Sequence, residues 1–527
     1  MLKTVTMRQV TAFVFFIAVA LLFVGLLETP LAKSTEPRVA GIAADMYLNN
    51  NYIAPRLNNT LFLEKPPLHA WLTAASFEVF GLNNISARLP SVVAGIATLL
   101  LIMSFLAMQN TPPIISAFSA LILLTMGSFW MYSRLAGQDV LLCFGVTMGL
   151  LYTYYFSIKW QWRPLIGVAI GMAIASTTKG IFGIALICCV AAAYLPLKMG
   201  FIDKKARPLP IALYGLAVII GLIPLSIWLW LLYQQNDWDA FYEITWVNSV
   251  GRFMGEYQNG GHVQAWYYYL VRIPTFFQPW FALVIPAAIF AIKRARLNSA
   301  SLFYLCWLIM PLILHSVSSS KRSIYLLSIY PAAALLIGAI ASKIFQDSEQ
   351  VKNIGEKLIS GSLIFQGLIT TVILVYCLVL NIKDQPTSLL WFVIHPINIG
   401  VLIWTAKQLF NKSQGAYIAG NLLIICLCYL NYAATSGVQE STNNSLVKVF
   451  AELSPEDRSR SIAIYTPHER LSGGAVYYLQ HSVDDLHTPD QLRNFMAVHQ
   501  DYILISENEE LLAHPGTVTT VMLKKDP

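Results

Sequence analysis

The chain has 527 residues, of which 56% are hydrophobic and 12% charged. Soluble globular chains carry about 25% charged residues, so this composition, with its long apolar runs, excludes an ordinary soluble domain and implies an integral membrane protein. The formal charge of +7 is not a nucleic-acid signature, because the basic residues are spread over the short segments between apolar runs.

In chain order, a basic flank (Lys3, Arg8) precedes an apolar run of about 19 residues with no small-residue cleavage site after it. This reads as an uncleaved first span. Matching apolar runs to the roughly 20 residues that cross a bilayer gives about thirteen spans. They fall near 9–27, 89–108, 113–132, 139–158, 163–178, 180–197, 210–233, 273–292, 301–317, 323–342, 358–380, 388–409 and 416–434. Alternate connections carry most of the Lys and Arg, including Lys159/Arg163, Lys204/Lys205/Arg207 and Lys293/Arg294/Arg296. By the positive-inside rule these are cytoplasmic. The opposite face receives the two long segments 28–88 and 234–272, and an odd span count puts the C-terminal tail there too.

The first long segment has internal order. In EPRVAGIAADMYLNN, Val39, Ile42, Ala43, Met46 and Tyr47 follow helical spacing, as in an amphipathic helix lying on the membrane surface, and Pro37 suits its first turn. A second helix opens at Pro66-Pro67 and repeats apolar residues at Leu68, Trp71, Leu72, Ala75 and Val79 before Gly81. Glu64-Lys65 sits where an extended stretch meets that helix, and the following proline keeps Lys65 out of helical conformation. The tail, 437–527, is polar. Short runs at 461–465, 502–506 and 517–523, with helical stretches near 474–480 and 489–499, predict a small water-exposed α/β domain. All seven cysteines lie in apolar runs and read as small hydrophobes.

Charges near the bilayer centre cost about 2.5–3.5 kcal/mol, and this chain keeps its unusual ones at the outer ends of spans. They are Glu36, Arg38, Glu64, Lys65, Arg134, Asp139, Lys179, Arg252, His262, Lys321 and Arg322. In a bundle they converge on one outer cavity. Each has a plainer reading: Glu36 can complement a helix dipole, Asp139 can cap a helix, and Lys179, His262 and Lys321 can be interfacial residues. Taken together, several cations with one or two carboxylates suit a lipid phosphate that bears a sugar. The cations stabilise the leaving phosphate, and a carboxylate serves as base, sugar ligand or metal ligand.

The motifs TEPRVAGIAADMY, IAPRLNNTLFLEKPPLHAWL, RLAGQDVLL, TTKGIFGIAL, EITWVNSVGRF, HVQAWYYYL and SVSSSKRSIYLLSIYP resemble those of bacterial ArnT and its protein O-mannosyltransferase relatives. These are the family 39 glycosyltransferases of the GT-C fold. The resemblance covers nearly the whole chain. It implies an all-α polytopic membrane protein of about 13 transmembrane helices, residues 1–436, with a small periplasmic α/β domain, residues 437–527. It implies a bacterial inner-membrane enzyme that moves a sugar from a polyprenyl-phosphate donor to a lipid, glycan or protein acceptor such as lipid A phosphate, with inversion through direct displacement. Carried over by position, it makes Asp139 the catalytic carboxylate of the second short outer loop. Arg38, Lys65, Lys179 and Lys321 become candidates for the donor phosphate, and Tyr325 an active-site tyrosine. Glu64 and His262 fall where the family holds a zinc ion. The family often has Asp-Glu ahead of the first surface helix. Here the pair is Thr35-Glu36, so either Glu36 takes that catalytic role or the acceptor, if already anionic, dispenses with it. The competing reading is a transporter or flippase of lipid-linked sugars, which would need charges along a path through the bilayer.

Overall fold

The computed structural model describes residues 5–31, 35–204, 208–256, 262–345, 349–383, 389–411, 413–443, 449–450, 453–499, 501–506 and 520–522. Helices dominate them. In order they are α1 (Met7–Phe23), α2 (Glu36–Asn49), α3 (Leu68–Phe80), α4 (Asn84–Met108), α5 (Pro113–Thr125), α6 (Gly127–Ser133), α7 (Gln138–Lys159), α8 (Arg163–Lys179) and α9 (Ile181–Lys198). They continue as α10 (Pro208–Tyr242), the single turn α11 (Arg252–Met254), α12 (Tyr268–Phe276), α13 (Phe281–Arg294), α14 (Ser299–Val317), α15 (Tyr330–Phe345), α16 (Glu349–Lys383), α17 (Leu389–Phe410) and α18 (Gln414–Asn443).

Each apolar run expected to span falls on a helix or, at 113–132 and 273–292, on a bent pair of helices. Among the described residues, eight helices are long and apolar enough to cross a bilayer, or ten if each of two bent pairs is one span. The bends are 73° between α5 and α6 and 111° between α12 and α13. Apolar faces of α1, α4, α5, α7, α9 and α13–α15 share one continuous buried cluster, whereas α10 keeps much of its surface exposed, as a lipid-facing helix should (Ile219, Ile220, Ile223, Trp230). Helix starts follow the capping chemistry of the sequence: Thr6 and Asn83 each form a capping box, with Gln9 and Ser86.

At the C-terminal end of α1, two buried arginines satisfy carbonyls that have no helical partner. Arg134 donates to the Leu21 and Val24 carbonyls (2.9 and 2.7 Å), and Arg88 to those of Leu26, Thr29 and Pro30 (3.1, 2.6 and 3.0 Å).

The C-terminal unit is a four-stranded parallel sheet. Its strands are β3 (Ser461–Tyr465), β4 (Asp484–Leu486), β5 (Tyr502–Ser506) and β6 (Thr520–Met522), in the order β4-β3-β5-β6; β1 (Arg56–Leu57) and β2 (Thr60–Leu61) form a separate hairpin. Helices α19 (Glu469–Leu479) and α20 (Pro489–Val498) make the crossovers. Strand β4 was not evident in the sequence, because Asp484-Asp485 gives it no apolar alternation. The boundary expected at 436 falls inside α18, which runs on to Asn443.

One expectation needs correction. Helix α2 does not lie on the membrane with a free polar face. It is covered by α3 on one side and α19 on another, and Glu36 and Asp45 are as buried as its apolar residues. The cause is a glycine pair. A Cβ on Gly41 would sit 2.5 Å from the Gly473 Cα, and one on Gly473 would sit 2.5 Å from the Pro37 oxygen. Only two glycines let these backbones touch.

Candidate active site

The approach to the site is built by the hairpin. Asn58 and Asn59 both take left-handed backbone (φ 54° and 65°), the requirement of a tight hairpin turn that asparagine meets at low cost. The turn is pinned from α2, where the buried Asp45 accepts from the Asn59 N–H (3.0 Å). After β2 the chain buries Leu63, delivers Glu64 and Lys65, and turns at Pro66-Pro67 into α3.

Glu64 is the hub of the cluster. One oxygen takes Arg38 Nη1 at 2.8 Å; the other takes Arg252 Nη1 and lies 3.5 Å from Lys65 Nζ. Burial alone would raise the Glu64 carboxyl, but Lys65, Arg38 and Arg252 outweigh it and hold the group well below the usual carboxylate range. Lys65 is affected in the other direction. Burial pushes its ammonium down to about 8; Glu64 opposes this, while Arg252, Lys179 and Arg38 add to it. Three cations thus surround one carboxylate, and a fourth, Lys179, stands near enough to act on Lys65.

Lys179 ends α8 and donates to Asp139 Oδ1 at 2.8 Å, at the first turn of α7. The same ammonium lies 4.1 Å from the ring centre of Tyr325, a cation–π contact. Tyr325 in turn stacks on the buried His315 ring at the end of α14 (5.9 Å between centroids, 27°). Asp139, Lys179 and Tyr325 therefore form one unit contributed by three segments.

The remaining expected residues fall outside this group. Glu36 is fully engaged: its two oxygens accept from Arg88 Nε and Nη2 (2.8 and 2.9 Å), and one also accepts from the Ala136 N–H (2.8 Å). Lys321 turns inward to the carbonyls of Gln264 (3.0 Å) and Ser318. His262 lies close enough for the Glu64 charge to favour its protonated form, but burial and the charges of Arg322 and Arg252 outweigh this and lower its pKa. For a metal ion the donor set is poor. Among the described residues no three His, Cys, Asp or Glu side chains are grouped to hold one, and both Glu64 oxygens already face cations. The residues present do not fit a resident zinc site.

Two cavities meet at Glu64-Lys65-Pro66. One extends past Lys179, Asn248, Arg252 and Tyr325. The other extends past Arg38, Phe62, His69 and Gln138. A nine-residue π-helical segment (Glu243–Gly251) supplies Asn248, whose amide donates to the Leu63 carbonyl at 2.9 Å and fixes the wall. A third, open groove of about 440 Å3 is lined by apolar Val263, Trp266, Leu270 and Ile313 and by Lys321.

The profile of the dolichyl-phosphate-mannose-protein mannosyltransferase family matches residues 64–228, and so begins at the hub carboxylate. The undecaprenyl phosphate-alpha-4-amino-4-deoxy-L-arabinose arabinosyl transferase of Serratia proteamaculans is 24% identical over 472 residues, covering 86% of this chain and 80% of that one. A second such transferase, from Pseudomonas fluorescens, is 28% identical over 409 residues, covering 74% of this chain and 70% of the other. The crystal structure of ArnT from Cupriavidus metallidurans bound to undecaprenyl phosphate superimposes with a TM-score of 0.70 at 18% identity, over 93% of this chain and 88% of that one. The chain is similar in sequence to these mannosyl- and arabinosyltransferases and shares the fold of ArnT.

The charged centre is assembled from segments far apart in the chain, the convergence expected from charges at the ends of spans. Two participants had no assigned role in the sequence. Arg252 had been noted only as an outer-face charge. Arg88 had not been noted at all, although an arginine at the head of an apolar run (SARLPSVV) is itself a signal, since such a charge needs a partner.

Proposed function

We propose that this glycosyltransferase uses a polyprenyl-phosphate-linked sugar as donor and passes the sugar, with inversion, to an acceptor at the outer face of a bacterial inner membrane. The observation that carries the reading is the convergence of Arg38, Lys65 and Arg252 on Glu64, with the Lys179–Asp139 pair beside them, at the junction of two cavities. Four cations against Glu64, Asp139 and Glu469 still leave a net positive site, which suits a phosphate whose charge grows as the glycosyl bond breaks. The apolar groove beside Lys321 has the character needed for a polyprenyl chain. The relatives named for undecaprenyl-phosphate aminoarabinose support that donor class, and lipid A phosphate is the acceptor that best fits them.

Within this scheme Lys65 and Arg38 hold the donor phosphate, and Lys179 stabilises the leaving oxygen. Asp139 orients Lys179 through the 2.8 Å contact. Its free oxygen is available as base when the acceptor is a hydroxyl; an anionic phosphate acceptor needs none. Glu36 is assigned a structural part, because it is buried and both its oxygens accept from the buried Arg88. The outer face is the periplasm in this reading, and a periplasm-active reporter fused after Pro527 should be active. A cytoplasm-only reporter active there would invert the site.

The direct test is transfer by purified protein from a synthetic polyprenyl-phosphate sugar. Loss of one charge-assisted phosphate contact costs about 1.5–3 kcal/mol, roughly ten- to hundredfold. Lys65→Ala should show that loss in a protein that still folds; normal transfer by the variant would end the phosphate assignment.

A further inference from the structure

The Arg38 guanidinium is used in an unusual way. It has five N–H donors in a planar fork, yet two carboxylates crowd onto a single nitrogen. Glu64 Oε2 lies 2.8 Å and Glu469 Oε2 2.6 Å from the same Nη1, while the buried Nε has no hydrogen-bond partner among the described residues. The two partners differ sharply. The Glu64 side chain is 14% exposed and answers to three cations; the Glu469 side chain is 53% exposed, and Arg38 is the one cation paired with it among the described residues.

Glu469 arrives from the C-terminal unit, on the first turn of α19. Its position is set by the contact between Gly41 and Gly473. Glu469 and Gly473 are four residues apart on one face of α19, and Arg38 and Gly41 are three apart on one face of α2. The glycine crossing therefore brings the acid onto the arginine. Rehydrating a half-exposed carboxylate costs little, whereas moving Glu64 would strip a buried charge of three partners.

We propose that Glu469 is the displaceable counter-ion of Arg38: a positioning residue, supplied by the C-terminal unit, that holds the guanidinium in place in the empty site and yields it to the donor phosphate. This rests on the reading of Arg38 as a phosphate ligand. Because Glu469 competes with the phosphate, neutralising it strengthens phosphate binding. A contact of only structural value would weaken binding when lost.

The test titrates undecaprenyl phosphate against the full-length protein in nanodiscs, with undecaprenol as the phosphate-free control. Wild type, Glu469→Gln, Arg38→Gln and the double variant are compared. An exposed ion pair of this kind sets the scale at roughly a two- to fivefold gain in affinity for Glu469→Gln. The gain should be absent for undecaprenol and absent when Arg38 is already replaced. Unchanged or weaker binding by Glu469→Gln, with Arg38→Gln impaired, overturns the counter-ion role and leaves the phosphate reading standing. Arg38→Gln binding as well as wild type overturns both.

Discussion

Replacing Lys65 by methionine should make the protein more stable while disabling it. The buried ammonium falls from its ordinary 10.5 to about 8, chiefly because burial disfavours its charge. At 1.36 kcal/mol for each tenfold change in proton affinity, holding Lys65 protonated in the fold costs about 3 kcal/mol. The sign follows from proton counting. Below pH 8 both folded and unfolded chains carry the proton, and the full cost is present. Between about 8 and 10.5 the unfolded chain binds more protons than the folded one, so stability contributed by this group rises with pH and the cost vanishes. Methionine keeps the apolar stem and leaves Glu64 with Arg38 and Arg252, so no buried carboxylate is stranded. Thermal unfolding in detergent should show a higher Tm for Lys65→Met at pH 7, with the difference from wild type shrinking towards pH 10. A lower Tm at pH 7, or a difference that ignores pH, would refute the account of Lys65 as a strained cation kept for its ligand.

The same low proton affinity predicts that undecaprenyl phosphate binds more weakly as pH rises through about 8; Lys65→Arg should flatten that profile, and a wild-type affinity constant from pH 7 to 9.5 would contradict it. Glu36→Gln should leave Arg88 buried with a neutral partner and destabilise by about 3–5 kcal/mol, seen as poor accumulation and a lower Tm; a stable but inactive variant would return Glu36 to the chemistry. Asp139→Asn should leave donor binding within a few fold. With a hydroxyl acceptor, transfer should drop by the 10²–10⁴ of lost acid–base help; with a phosphate acceptor the loss should be smaller and independent of pH, and full activity with both would reduce Asp139 to a helix cap. Gly473→Val should separate α19 from α2, since its Cβ would meet the Pro37 oxygen at 2.5 Å, and the loss should appear as protease sensitivity of the C-terminal unit.

The sequence disclosed what depends on local composition. Apolar runs marked the helices, Pro66-Pro67 marked the start of α3, and the alternating runs of the tail marked β3 and β5. It disclosed the charged residues too, because charges at span ends stand out in an apolar chain. What it hid was pairing. Glu36 and Arg88 are 52 positions apart, and nothing local tells a first-turn glutamate that completes an arginine clamp from one that faces substrate. Glu64 offered several roles on paper, and its partners Arg38 and Arg252 meet it only after the bundle closes. The covering of α2 was equally invisible, since it depends on one glycine at 41 finding another at 473.

The wall between the two cavities has a kinetic meaning. Glu64, Lys65 and Pro66 line both chambers. Under the proposed function, with donor and acceptor meeting at that shared wall, the sugar changes hands only while both substrates are bound. Initial-rate plots against the two substrates should therefore intersect rather than run parallel, and the spent lipid phosphate should compete with the donor.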